Sequence, residues 1–299
     1  MTSDTTAPPS TAFRTAGDLR LLTWPALDTS GVDAAVTARS GGVSTGPYAT
    51  LNLSLSVGDD PGFVRENRRR LAAAFGVTPG DFVFARQVHG AGVRVVADAD
   101  RGSGAFSLDD AVASAGRASD AGRASDADGA DALVTTSPGV VLAILTADRV
   151  PIVLHDPVAG VLACVHAGWR GTVAGVTAAA LAAMQRLGAR PSDVTAGIGP
   201  AIGADRYQVG PDVHEAVTGT FGSAAAEFIR PDPSAPGRWL LDLWATNGHT
   251  LRQAGVPGPR IHTTDVPTGP DPGHFFSDRT ARPCGRLALV ARLRPGGAR

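Results

Sequence analysis

The chain has 299 residues and 30.4 kDa, with 43% hydrophobic and 18% charged residues and a formal net charge of −1. This is globular material with a core that needs no disulfide staples, and it carries no basic stripe for nucleic acid. All 27 basic residues are arginine, so Schiff-base lysine chemistry and an ordinary P-loop are excluded.

Residues 1–17 are polar and Thr/Pro-rich and read as a flexible tail, leaving residues 18–299 as one domain. No signal pattern and no apolar run of ~18 residues is present, which predicts a soluble, cytoplasmic protein that avoids membranes. Strand-like runs at Leu21–Trp24 and Ala34–Ala38 lead into a glycine-rich loop, Arg39 to Pro47. Helical spacing covers Pro61–Phe75, ended by Gly76, and the RENRRR run at 65–70 reads as its solvated face. Strands follow at Phe82–His89 and Val93–Ala97. Residues 98–130 form a low-complexity surface insertion with a tandem AGRASD copy at 115–120 and 121–126.

The centre holds four apolar runs, Ala132–Thr135, Val140–Leu145, Val150–Leu154 and Val161–His166. The turn at 156–160 makes the last two a hairpin. A helix is predicted over Thr172–Leu187, then a strand at Val194–Ile198, a short helix from Pro211, a strand and helix through Trp239 to Gln253, and strands near Ile261, Phe275 and Leu287–Leu293. Strands and helices alternate without a strict βαβ rhythm, which favours a single α+β domain.

Gly42 to Gly46 matches the GxSxG nucleophile elbow, but Pro47 and a strand-like run follow where that elbow needs a helix. The loop's N–H groups and the Ser44 hydroxyl still suit an anion. GIGPAIG at 197–203 has the wrong spacing for a dinucleotide fingerprint and reads as a turn. The seven histidines, His89, His155, His166, His214, His249, His262 and His274, include no HxH pair, too small an inventory for a multicopper centre. His89 and His166 each end an apolar strand before a glycine-containing loop, a suitable place for ligands, although a satisfied core histidine is the alternative for each alone. Gly168 to Thr172 opens a helix beside Arg170, so phosphate or carboxylate would suit it; a helix-surface arginine is the plainer alternative.

At these residues the sequence resembles the YfiH-type, laccase-domain family. The matching strings are RSGGVS and NLSLSVGDD within 39–60, RQVHG at 86–90, DALVT at 131–135, TAD-VP at 146–151, VHAGWRG at 165–171, GPAIG with Y-VG at 199–210, and FFSDR with GR at 275–286. The resemblance implies a single-domain multilayer α/β sandwich with mixed sheets, the fold type shared with a bacterial toxin's deamidase domain. It implies purine nucleoside phosphorylase activity on adenosine, inosine, guanosine or methylthioadenosine, with adenosine deamination beside it. Copper-dependent phenol oxidation and peptidoglycan editing are also ascribed to members. The implied partners are a nucleoside and phosphate. By the anion-suited residues read above, the phosphate would sit at the helix start with Arg170, Ser44 and Arg39, and a polar group or metal-bound water near His89 and His166 would assist the departing base.

It further implies a zinc (or copper) ion held by His89, His166 and a cysteine between them. Here Arg149 replaces that cysteine. Three readings follow. Cys164, two residues before His166 and ~6.6 Å along the same strand face, could substitute, or be a buried small hydrophobe. The chemistry could be metal-free, with the arginine pairing with phosphate. Or the chain is a degenerate paralogue that binds a ligand or partner without turnover.

Overall fold

The computed structural model describes residues 9–28, 31–107, 129–269 and 273–296. The first half runs β1 (Ala12–Ala16), β2 (Leu19–Thr23), α1 (Pro25–Asp28), β3 (Val32–Thr37), α2 (Pro61–Ala74), β4 (Phe82–Phe84), β5 (Val93–Val95), β6 (Ala132–Thr135), β7 (Val141–Thr146), β8 (Val150–Asp156) and β9 (Val161–Ala167). The second runs α3 (Trp169–Val173), α4 (Val176–Arg186), β10 (Thr195–Ile198), β11 (Gln208–Val209), α5 (Pro211–Phe221), β12 (Ile229–Pro231), β13 (Trp239–Leu241), α6 (Leu243–Gln253), β14 (Ile261–Thr263) and β15 (Leu287–Leu293).

Two six-stranded mixed sheets stack face to face. The first has the order β1-β2-β3-β15-β7-β4 and the second β14-β10-β8-β9-β6-β5. Alternation along each strand splits its side chains between two layers. In β7, Leu142 and Ile144 join the inter-sheet core with Leu133, Val153, Leu162 and Cys164. Val141 and Ala143 point the other way, to Leu71 and Phe75 near α2. In β9, Ala163, Val165 and Ala167 face the helical layer of α4 and α6, with Met184 and Leu251. The result is a four-layer α/β/β/α sandwich, the α+β class with mixed sheets expected from the sequence. Both faces of β6 to β9 are covered, which is why these strands read as continuous apolar runs. Each fully buried Leu or Ile contributes roughly 1.5–3 kcal/mol, so this double core is the main stabilising term.

Several expectations are corrected. The segment read as a tail contributes β1, paired with β2 from Ala12↔Thr23 to Ala16↔Leu19. A two-residue Gly17-Asp18 turn closes this hairpin, and Phe13 is covered by the Arg20 guanidinium 3.9 Å from its ring centre. The strand expected over Phe82–His89 stops at Phe84, and Phe275 lies in a buried loop rather than a strand. The helix expected over 172–187 is two helices, broken at Gly175, whose φ of 83° is left-handed. Arg68, taken for the solvated face of α2, is buried; it donates to the carbonyls of Leu53, Gly104 and Ala105 and lies over Phe84. Most of the low-complexity insertion, including both AGRASD copies, falls outside the described residues. Among the described residues no helix is long and apolar enough to cross a membrane.

α3 is fixed by a buried polar link: Thr177 donates to Asn247 Oδ1 (2.8 Å), and Asn247 Nδ2 donates to Thr172 Oγ1 (3.1 Å). This ties α3 to α4 and α6 at the end of β9.

Candidate active site

The site lies where the β-strand ends part. Alternation in β9 turns His166 to the same side as Cys164, toward the inter-sheet layer, but one position from the strand's end, where that layer opens into a cavity. Asp131, immediately before β6, is fully buried beside it. Its Oδ1 lies 2.8 Å from His166 Nδ1. The same carboxylate accepts three successive backbone N–H groups, from Val88 (3.2 Å), His89 (3.1 Å) and Gly90 (2.7 Å). That curl ends the expected strand early and holds His89 at φ 62°, a left-handed conformation rare outside glycine. Gln87 anchors the loop from its other side: its Nε2 donates to the Leu145 carbonyl (2.7 Å), and the Leu145 N–H donates to its Oε1 (2.8 Å).

One carboxylate thus sets both histidines, whose ring centres are 5.0 Å apart. Burial alone would raise the Asp131 pKa, but the bonds from His166 and the loop amides bring it below the ordinary value. A carboxylate that accepts at Nδ1 keeps the proton there and leaves Nε2 of His166 as the open nitrogen. Desolvation of the His89 ring, then His166 and the Arg149 guanidinium, lower its pKa to about 4. It is a neutral imidazole at pH 7.

The cavity has two lobes that share His89, Arg149 and Asp278. The smaller, about 220 Å³, is walled by Trp169, Tyr207, Ile202 and Leu243 with Arg170, Arg279 and Arg282. The larger, about 610 Å³, includes His166, Ser54, Ser56, Gln87, Thr146, Arg86 and Arg286. Its size falls in the roughly 300–1,000 Å³ range of small-molecule sites. Six arginines line the lobes against two carboxylates, Asp148 and Asp278.

Both carboxylates are engaged. Asp148 has φ 78°, which turns its carboxylate back into the protein. There it accepts from Thr268 Oγ1 (2.5 Å) and the Arg279 N–H (2.7 Å). Asp278 pairs with Arg282 (2.5 Å) and Arg286 (2.9 Å), while Arg149 stands 4.0 Å away. Arg149 enters the cleft across Gly168: a Cβ there would lie 2.9 Å from Arg149 Cγ and 3.6 Å from His89 Nδ1. Glycine is what permits this approach.

The structure therefore brings His89, His166 and Arg170 to one cleft. Arg39 and Ser44 line neither lobe. The Arg39 guanidinium donates twice to the Ala49 carbonyl and covers the Phe276 ring. The Ser44 hydroxyl donates to Asp59 (2.6 Å) and accepts from Asn67 Nδ2 (2.9 Å). Neither is placed to hold an anion beside the histidines. The helix opening at Gly168 is also only five residues long, so its dipole is slight and the positive potential of the cleft comes from side chains. Asp131, Gln87 and the C-terminal arginines Arg279, Arg282 and Arg286 also belong to the site, although nothing local in the sequence singles them out.

The donors at the site decide whether the implied metal ion fits. Two imidazoles converge, but the third neighbour is a guanidinium, which has no lone pair to give. Among the described residues no three His, Cys, Asp or Glu side chains are grouped to hold a metal ion. Cys164 is no substitute: it lines neither lobe, and complete burial in the inter-sheet core pushes its thiol pKa up, away from the thiolate a metal needs. The residues present do not fit zinc or copper.

Residues 33–294 match the family model described as multi-copper polyphenol oxidoreductase laccase. The chain is 38% identical over 266 residues to a protein of Geobacillus stearothermophilus named purine nucleoside phosphorylase YlmD, covering 88% of this chain and 91% of that protein. It is 42% identical over 243 residues to a purine nucleoside phosphorylase of Deinococcus radiodurans, covering 81% of each. Its structure resembles that of YlmD from Geobacillus stearothermophilus, with a TM-score of 0.83, 34% identity and coverage of 96% of this chain and 100% of the other. The hypothetical protein YfiH of Bacillus licheniformis also superposes at 0.83, with 31% identity and coverage of 94% and 99%.

Proposed function

The chain belongs to the family described as multi-copper polyphenol oxidoreductase laccase, and on that premise we propose that it is a purine nucleoside phosphorylase. The observation that carries this reading is a cleft with six arginines around two imidazoles set by one buried carboxylate. Guanidinium forks match phosphate oxygens two at a time. The relatives named above as purine nucleoside phosphorylases support the same chemistry.

In the reaction, an oxygen of hydrogen phosphate attacks the anomeric carbon of the ribose. The bond from that carbon to the purine nitrogen breaks, and the base leaves with the electron pair. The proton given up by the phosphate ends on the base, so nucleoside plus phosphate becomes free purine plus ribose 1-phosphate. Arg170 contributes to holding the phosphate. The open Nε2 of His166, with Asp131 fixing its partner nitrogen, is suited to carry the proton between phosphate and base. Trp169 and Tyr207 line the smaller lobe and supply aromatic surface for the purine there. Adenosine, inosine, guanosine and methylthioadenosine are the substrates to test. No step is assigned to a metal, because the donors do not fit one.

The test is incubation with inosine or adenosine, with and without inorganic phosphate, followed by chromatography of the products. Phosphate-dependent release of hypoxanthine or adenine is expected; no release with any of the four nucleosides overturns the reading. In that event, binding of the same nucleosides without turnover would support the non-catalytic reading that the replacement at position 149 raises.

A further inference from the structure

We infer that the place between His89 and His166 is an oxyanion site, in which the Arg149 guanidinium receives inorganic phosphate where a divalent cation would otherwise sit. The inference deepens the phosphorylase reading, and rests on it for the choice of phosphate as the oxyanion.

Arg149 and Arg170 hold unspent donors. A guanidinium carries five N–H groups. Arg149 uses one on the Ala147 carbonyl (3.2 Å) and approaches Asp278 only to 4.0 Å. Asp278 is meanwhile taken by Arg282 and Arg286, and Asp148 by Thr268 and the Arg279 backbone. Among the described residues the Arg170 guanidinium makes no hydrogen bond or ion pair; it lies over the Trp169 ring, 4.3 Å from its centre. Arg149 and Arg170, on one cavity wall, therefore lack close carboxylate partners, and among the described residues the smaller lobe holds no carboxylate besides Asp148 and Asp278.

Placement points the same way. The Arg149 stem is held across Gly168 in front of His89, and its carbonyl accepts from Thr146 Oγ1 (2.6 Å). It belongs to both lobes, as does His89. An anion at this junction touches whatever fills either lobe, which is where the attacking group of a phosphorolysis must stand. A cation at the same point would face a fixed positive charge and have two donors instead of three.

The experiment uses the full chain, its Arg149→Gln variant and its Arg149→Lys variant, with folding checked by thermal melting. Inorganic phosphate is titrated by calorimetry, and zinc chloride is offered in equilibrium dialysis followed by elemental analysis. The expected result is phosphate binding that weakens at least about tenfold in Arg149→Gln and less in Arg149→Lys, with no stoichiometric zinc on the natural chain. Stoichiometric zinc on the natural chain, no phosphate binding, or phosphate affinity unchanged in Arg149→Gln overturns the inference. The two readings fail separately. Phosphate binding that depends on Arg149, without release of base, removes only the phosphorylase. Base release with an unchanged phosphate KM in Arg149→Gln removes only the oxyanion site.

Discussion

Two buried polar knots, one around Asn67 and one around Asp131, teach different things. In the first, Asn67 accepts the Val43 N–H and donates to Ser44 Oγ and the Thr50 and Asn52 carbonyls. Ser44 and the Asn52 amide both donate to Asp59 Oδ2, and Asn52 Oδ1 accepts the Arg286 N–H. Every group is spent inside the knot. In the second, Asp131 gathers four donors at the loop and His166, yet each imidazole keeps a nitrogen for the cavity. By sequence the Ser44 loop suits an anion, as does the loop after His166. What separates them is leftover hydrogen-bonding capacity facing open space.

The sharpest way to break this contrast is Asp131→Ala. It releases the His89 loop and the His166 tautomer together, so kcat for phosphate-dependent base release should fall on the order of 100-fold. Urea unfolding should show a loss of about 3 kcal/mol, as for other buried pairs deprived of one member. An Asp131→Ala enzyme with normal kcat would remove the open knot from the chemistry. Arg149→Cys restores a third donor and should move zinc content from trace to about one ion per chain by elemental analysis. Asn67→Ala dismantles the closed knot; a stability loss of about 3 kcal/mol is expected from its buried bonds, while kcat stays within about twofold.

The effect of pH is smaller and concerns His89. Its pKa lies at about 4 in the folded chain against an ordinary 6.5. Between those values the unfolded chain binds more protons, so stability falls as pH drops from about 6.5 to about 4, and the group contributes nothing above pH 7. Urea midpoints at pH 7 and pH 5 should therefore differ less in His89→Gln than in the natural chain. His155, also held at about 4 by burial, adds slope of the same sign, as do His262 and His274, which burial likewise lowers. Ser44→Ala should cost only about 1 kcal/mol and leave turnover intact; loss of activity there would revive the serine-nucleophile reading.

Much of the frame was legible because buried strands announce themselves. The run from Val161 to Ala167 and its hairpin partner from Val150 are apolar on both faces, and β15 was read at its observed bounds. The convergence of His89 and His166 followed only from the family resemblance that QVHG and VHAGWRG carry; taken singly, each histidine reads more readily as a satisfied residue. Asp131 was not legible, because a single aspartate before an apolar run has no local signature; its three amide partners are more than 40 residues away in sequence. Arg68 misled for a related reason. An arginine in a charged helix run looks solvated until distant carbonyls and an aromatic face enclose it. The break at Gly175 was hidden by a periodicity that continues across it, and β1 by a polar composition that still pairs through its backbone.

The cleft's cations are all guanidinium groups, in a chain without a single lysine. Guanidinium holds its proton far into alkali, so the positive wall forms a constant backdrop from mild acid to strong base. Any bend in a rate profile across that span is then the signature of the phosphate, the purine, an imidazole or, in strong base, the Tyr207 phenol. Amine-directed acylating reagents, for their part, have no side chain in this wall to attack.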